Sequence, residues 1–427
     1  MDKFIINGGI PLKGEITPSG NKNAALPLLA ATLLTPEPVI LHNLPDILDV
    51  RTMIQLLKSL NVKVGVINHS SMRFDSSDIK PADLDPNLCR QIRASILLAG
   101  PLLSRVGELY LPPPGGDVIG RRRLDTHILA FSNLGVETQY SNNQFHFNSN
   151  YLNGADILLD EASVTATENT IMASVMAKGE TILRNAASEP HVQELCQFLN
   201  KLGARIENIG SNTLHISGVD SLHGGEFSIG PDYLEVVSYI GATVITGGSI
   251  RIKNAGVEHL DMIHLIMTRL GVDWETDGDD VIVPENQRLE IEPDFGNAIP
   301  EISVMPWPSF PTDLMSIAIV IATQSKGSIL FHDWMYPSRM YFTDKLVGMG
   351  AQIVLCDPHR CIVQGPTELT GEILESPDIR AGMALVLAAL SAKGKSVIRN
   401  VSQIDRGYQQ VDLKLHQLGA NIERRNH

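Results

Sequence analysis

The sequence predicts an α/β protein of two lobes, each built from three copies of one repeat, with helices enclosed by a shell of sheets. Three observations carry this. A capped helix end recurs six times in the 427 residues, at LGAR (Gly203), LGVD (Gly271), MGAQ (Gly350) and LGAN (Gly419), and more weakly at LNVK (Asn61) and LGVE (Gly135). Four nearly all-apolar helical runs stand upstream of such caps. The chain also exceeds the size at which a single core keeps growing, so at least two domains are expected.

Successive caps lie about 70 residues apart, and repetition at a steady spacing marks one supersecondary unit used again and again. Each cap closes an amphipathic helix at a position suited to a left-handed residue, and a β-rich run with polar alternation follows. The apolar runs are ATENTIMASVMAKGETILRN from Ala166, DYLEVVSYIGATVITGGSIRIKN from Asp232, TDLMSIAIVIATQSKGSILFHD from Thr312 and DIRAGMALVLAALSAKGKSVIRN from Asp378. They share a polar start, a long apolar stretch, a glycine turn and a short β-branched strand. Asp or Thr at the start caps exposed amides, and a helix apolar on nearly every side must be buried. The repeat reads as strand, buried helix, strand, strand, outer helix, strand. Solenoid repeats are shorter and more uniform, so two globular lobes are expected. One is discontinuous, residues 1–21 with 231–427; the other is 22–230 and carries the loop 111–123. Crossings near Gly20 and Gly230 would form a hinge.

Composition narrows the function. A net charge of -14 argues against nucleic-acid or anionic-membrane partners. Cys89, Cys196, Cys356 and Cys361 show no CxxC spacing, and MDKFIINGG has no basic segment leading into an apolar one, so reduced thiols in a cytoplasmic protein are expected. The most apolar run, 382–392, is too short to span a bilayer. There is no GxxxxGK[ST], no convincing GxGxxG after a strand and no HExxH, so neither a nucleotide cofactor nor a metal is expected. The sequence sets no oligomeric state; a monomer satisfies it.

The charged residues gain meaning from their place in the repeat. Lys22, Asp313, Asp378 and Arg380 fall at polar starts of buried helices, where unpaired amides and the positive dipole end favour anions. Arg339 in YPSRMY and Arg406 in QIDRGY occupy equivalent loops before outer helices. The loop LPPPGGDVIGRRR, residues 111–123, joins stiff prolines, permissive glycines, the lone carboxylate of Asp117 and three arginines, and reads as a mobile lid over a cleft. The cleft is expected to close on a small polyanion, since phosphates and carboxylates match the guanidinium fork.

Nine segments taken together resemble the enolpyruvyl transferases in order and spacing, over essentially the whole chain. After SGNKNAALPLLAA from Ser19 come RASILLAGPLLSR from Arg93, PGGDVIGRR from Pro114, ATENTIM from Ala166, EP at Glu189, FPTD ending at Asp313, SRM at Arg339, DIRAG from Asp378 and IDRGYQQVDLKLHQLGANIER from Ile404. The opening run looks like the branch acting on UDP-N-acetylglucosamine rather than the shikimate-pathway branch. The resemblance implies an inside-out α/β barrel in each lobe. It also implies transfer of the enolpyruvyl group of phosphoenolpyruvate to the sugar's 3-hydroxyl with release of phosphate, no cofactor being needed. By the same resemblance, Lys22, Arg122 and Arg406 hold the phosphate, with Arg339 and Arg380 near the carboxylate. Asn23 and Asp313 contact the sugar, Asp313 as base, and Asp117 serves proton transfer. Arg122, Arg123, Leu124, Asp125, Ser163, Val164 and Met335 line the nucleotide site, and Arg93 is a further substrate-binding residue.

The chain departs from the family pattern at Asp117, where cysteine is usual, at Arg123 in place of proline, at Thr165 in SVTAT for SVGAT, and at Trp307 before FPTD. A different UDP-sugar acceptor and a non-catalytic UDP-sugar sensor are the alternative readings. Aspartate in place of cysteine implies resistance to thiol-alkylating epoxides such as fosfomycin.

Overall fold

A computed structural model describes residues 2–80, 84–116, 119–120 and 122–426. The chain divides into two compact units, Met1–Ser19 with Val118–Arg121 and Pro231–His427, and Gly20–Asp117 with Arg122–Gly230. Residues 20 and 21 fall in the second unit, and residues 118–121 of the expected lid fall in the first.

Among the described residues each unit holds three separate sheets around its own apolar core. In the first unit the helices Tyr233–Ile245, Met315–Gln324 and Ile379–Ser391 pack on one another at the centre. Every residue from Ile379 to Leu390 is buried. In the second unit Lys22–Ala31, Ala99–Arg105 and Val164–Ser174 take the inner positions. The result is α/β, with helices inside and unclosed sheets outside, which the all-round apolarity of the inner helices demands.

The repeat differs from expectation in one respect. The copy that opens at Asp156–Leu158 continues through inner helix Val164–Ser174, strand Glu180–Arg184, outer helix Pro190–Lys201, and strands Arg205–Glu207 and Thr213–Ser217. The outer helix therefore precedes the last two strands rather than separating them. Its left-handed end turns the chain straight into an antiparallel pair, Ile206 opposite Ile216. The first two strands are parallel, Leu183 beside Ile157, as a crossover through a helix requires.

All six caps are left-handed: φ is 69° at Asn61, 93° at Gly135, 101° at Gly203, 80° at Gly271, 107° at Gly350 and 94° at Gly419. Asparagine serves at position 61 because its side chain tolerates this region; Nδ2 there also donates to Asp78. Three sheets borrow a strand from a distant part of the chain; in one, Lys13–Ile16 runs parallel to Ser249–Ile252. Lys3–Asn7 pairs with both Lys395–Arg399 and Asn421–Arg425, and Gly225–Ser228 runs parallel to Val39–His42.

Candidate active site

In the first unit the charged centre is Asp313, in the short turn Thr312–Leu314 that leads into Met315–Gln324. Its Oδ1 accepts from Arg339 Nη2 at 2.9 Å and its Oδ2 from Arg380 Nε at 3.1 Å. The two guanidiniums are 4% and 5% exposed, against 27% for the Asp313 side chain. Arg380 is the second residue of its helix, where Asp378 Oδ1 caps the amides of Arg380 and Ala381. Burial is the largest single influence and would lower the pKa of both arginines, but Asp313 together with further groups, Asp378 and Asp333 beside Arg339 and Tyr408 and Asp232 beside Arg380, drives both upward. The Tyr408 ring lies 5.6 Å from the Arg380 guanidinium, and its hydroxyl meets Ser238 Oγ at 3.0 Å.

The turn bearing Arg339 is built by Asp333, a residue sequence reasoning passed over. Asp333 is fully buried, and burial raises its carboxyl pKa. Its Oδ2 accepts from the Thr312 hydroxyl at 2.5 Å and its Oδ1 from the amides of Met335 and Tyr336 at 3.0 and 3.2 Å. One buried carboxyl thus ties the Asp313 turn to the Arg339 turn. Thr312, expected as a helix cap, spends its hydroxyl on this link instead. Met335 packs against the core, and Arg406, at the end of Val401–Arg406, donates to Gln403 at 3.1 Å. Trp307 stands beside Tyr233, ring centres 6.0 Å apart, and edge-on to His259.

In the second unit Lys22 opens the helix Lys22–Ala31, whose amides at Asn23 and Ala24 are capped by Asn21 Oδ1. Lys22 Nζ lies 2.9 Å from Asp49 Oδ2, and both side chains are under 10% exposed. The pair sits at the positive end of a helix, where an anion is favoured. Asp49 was not singled out by the sequence.

Arg93 Nη2 donates to the carbonyls of Arg122 and Arg123 at 3.0 and 3.1 Å, fixing the backbone that runs into helix Asp125–Asn133. Arg123 pairs with Asp125 at 3.2 Å and Asp160 at 2.8 Å, while Asp160 also accepts from the Thr126 hydroxyl at 2.6 Å, which lowers its pKa. Leu124 packs against the core, and Ser163 and Val164 begin the neighbouring inner helix.

Thr165, the unusual residue of SVTAT, faces His127. Asn169 Oδ1 is taken by the Gly100 amide, so its Nδ2 donates to His127 Nδ1 at 3.0 Å. His127 Nε2 therefore carries the proton and donates to Thr165 Oγ1 at 3.2 Å. Complete burial, reinforced by the charge of Arg93, pushes His127 down to about 3, so it is neutral at physiological pH. The departure at Thr165 was the sequence signal for this triad; His127 and Asn169 gave none.

The described parts of the loop, 111–116 and 119–120, approach neighbouring chain closely. A side chain at Gly115 would place Cβ 1.7 Å from the Arg90 carbonyl oxygen, and the Gly115 amide donates to Cys89. At Gly120, with φ of 124°, a Cβ would meet the Pro337 ring at 2.7 Å, next to the Arg339 turn. These glycines serve close approach. Asp117 and Arg121 lie outside the described residues. The structure therefore joins Asp313, Arg339 and Arg380 in one cluster and Arg93, Arg122, Arg123 and Asp125 in another, and it pairs Lys22 with Asp49; Asn23 follows Lys22 in the same helix.

The chain matches known proteins along nearly its whole length. The family profile described as EPSP synthase (3-phosphoshikimate 1-carboxyvinyltransferase) covers residues 6–415. A UDP-N-acetylglucosamine 1-carboxyvinyltransferase of Bradyrhizobium diazoefficiens is 54% identical over 422 residues, 99% of this chain and 98% of that one. The protein of the same name from Treponema denticola is 51% identical over 423 residues, 99% of each chain. Among solved structures, the enolpyruvyl transferase NikO from Streptomyces tendae superposes with a TM-score of 0.88 at 25% identity, covering 99% of this chain and 98% of NikO. An EPSP synthase from Acinetobacter baumannii shares the fold, with a TM-score of 0.77 at 16% identity over the full length of both chains.

Proposed function

The chain belongs to the EPSP synthase family of carboxyvinyltransferases, and from that premise we propose that it transfers the enolpyruvyl group of phosphoenolpyruvate to the 3-hydroxyl of UDP-N-acetylglucosamine, releasing phosphate. The observation that carries this reading is 46–54% identity over 99% of the chain to proteins bearing that activity in their names. The product would enter peptidoglycan precursor synthesis, in the cytoplasm. Among the described residues no helix is long and apolar enough to cross a membrane.

The residue types suit the chemistry. Asp313 takes the proton of the sugar 3-hydroxyl as that oxygen bonds to C2 of the enol ether, while C3 gains a proton. The adduct then loses phosphate and gives up a C3 proton. An acid and a base must flank such a centre, and we assign proton transfer at C3 to Asp117. Lys22, Arg122 and Arg406 stabilise the leaving phosphate; Arg339 and Arg380 hold the carboxylate. Asn23 contacts the sugar. Arg93, Arg123, Leu124, Asp125, Ser163, Val164 and Met335 belong to the nucleotide site, with Arg93 acting through the backbone it holds.

Purified protein given both substrates should release inorganic phosphate in step with consumption of the UDP-sugar. No release with this acceptor would overturn the reading. With aspartate at position 117 there is no thiolate there to alkylate, so preincubation with fosfomycin should leave activity intact. Time-dependent covalent inactivation through residue 117 would refute this.

A further inference from the structure

We propose that Asp313 holds the place of the donor's carboxylate on Arg339 and Arg380, and becomes a base only when that carboxylate arrives and displaces it. This rests on the assignment of the two arginines to the carboxylate of the enolpyruvyl donor.

Both oxygens of Asp313 are engaged, Oδ1 by Arg339 and Oδ2 by Arg380. A carboxylate whose two oxygens each accept a charge-assisted hydrogen bond is a poor proton acceptor, because its charge is already stabilised and its lone pairs are occupied. A base at the sugar hydroxyl needs a lone pair within hydrogen-bond reach of the proton it takes. The cluster in this geometry is thus set against the role proposed for it.

The arginines decide when Asp313 lets go. They are buried, and two buried guanidiniums without a counter-ion are strongly destabilised. Asp313 therefore leaves them only in exchange for another anion. Arg339 Nε and Arg380 Nη1 are buried and donate to no acceptor among the described residues, so the pair has two further donors ready for an incoming anion. A planar carboxylate on the donor matches the group it displaces. Asp313 is the most exposed member of the cluster, so its side chain can turn aside without opening the core.

The charge count on the arginines stays the same through the exchange. The displaced carboxylate then faces the negative charge of its replacement, which raises its affinity for a proton. When it takes the proton of the sugar hydroxyl, the hydroxyl oxygen bonds to C2, and the C2–C3 electron pair is protonated at C3 by a different acid. Bound UDP-sugar alone is not activated.

The test follows the Asp313 carboxyl directly by 13C NMR of protein labelled at aspartate Cγ, its signal assigned from the Asp313→Asn variant. The pH titration is run on the protein alone, with UDP-N-acetylglucosamine, with inorganic phosphate, and with phospholactate, a saturated donor analogue that carries carboxylate and phosphate but cannot react. Phospholactate should raise the proton affinity of Asp313 about tenfold or more, while the UDP-sugar and phosphate leave it unchanged. An unchanged titration with phospholactate shown bound by 31P NMR overturns the exchange and leaves the functional reading standing. Failure of phospholactate to bind at all overturns both.

Discussion

Replacing Asp313 with alanine removes the common counter-ion of two buried guanidiniums. The contacts are 2.9 and 3.1 Å between donor and acceptor, so the charge centres lie about 4 Å apart, worth about 4 kcal/mol per pair at an effective dielectric constant near 20. Part of that is returned, because the partly exposed carboxylate no longer has to be desolvated and water reaches the gap. Breaking a buried pair from one side costs about 3–5 kcal/mol, and that is the expected loss. At about 2–4 °C per kcal/mol for a unit of this size, the unfolding midpoint should fall by about 10 °C. Differential scanning calorimetry with and without phospholactate is the assay. The ligand should restore more stability to the variant than it adds to wild type, since it supplies the carboxylate that the arginine pair has lost. Turnover should drop about 10²- to 10⁴-fold with UDP-sugar binding kept. A variant that melts with wild type would show that the arginines do not depend on Asp313. Near-wild-type turnover would remove Asp313 from the mechanism.

Three further outcomes are expected. Burial holds the Glu194 carboxyl up at about 7, opposed by the Gly230 amide that donates to it at 2.6 Å. The folded state therefore keeps a proton that the unfolded chain has lost above its ordinary value near 4.5, and stability drains away as pH rises from there through about 7. Glu194→Gln, neutral throughout, should gain up to about 3 kcal/mol over wild type between pH 5 and pH 8 in urea unfolding; parallel profiles would refute this. Gly115→Ala puts a methyl group onto the Arg90 carbonyl, so the loop must reseat, and kcat should fall about 100-fold in steady-state assays, an unchanged kcat showing that the loop's seat is irrelevant to turnover. Burial pushes the thiols of Cys89, Cys196 and Cys361 up to about 11 or 12, while Cys356 is exposed. One thiol per folded chain should therefore react quickly with a disulfide reagent, rising to four in denaturant. A second fast thiol would contradict the packing described.

Near-neighbour chemistry was legible in the sequence. The left-handed caps from Asn61 to Gly419, the all-round apolarity of residues 379–390 and the aspartate caps at Asp232 and Asp378 each depend on residues within a few positions of one another, so the α/β repeat is written in short runs of the chain. The order of outer helix and paired strands is not, because both arrangements present the same local pattern and only the pairing of Ile206 with Ile216 distinguishes them. The site divides in the same way. That Lys22 and Arg380 begin buried helices follows from the local run of residues. That Asp313 bridges arginines 26 and 67 positions away, that Asp49 balances Lys22, and that Asp333 and His127 hold their neighbouring turns were decided by tertiary packing. A buried charge is stable only beside its counter-ion, and the fold alone determines which distant residue that is.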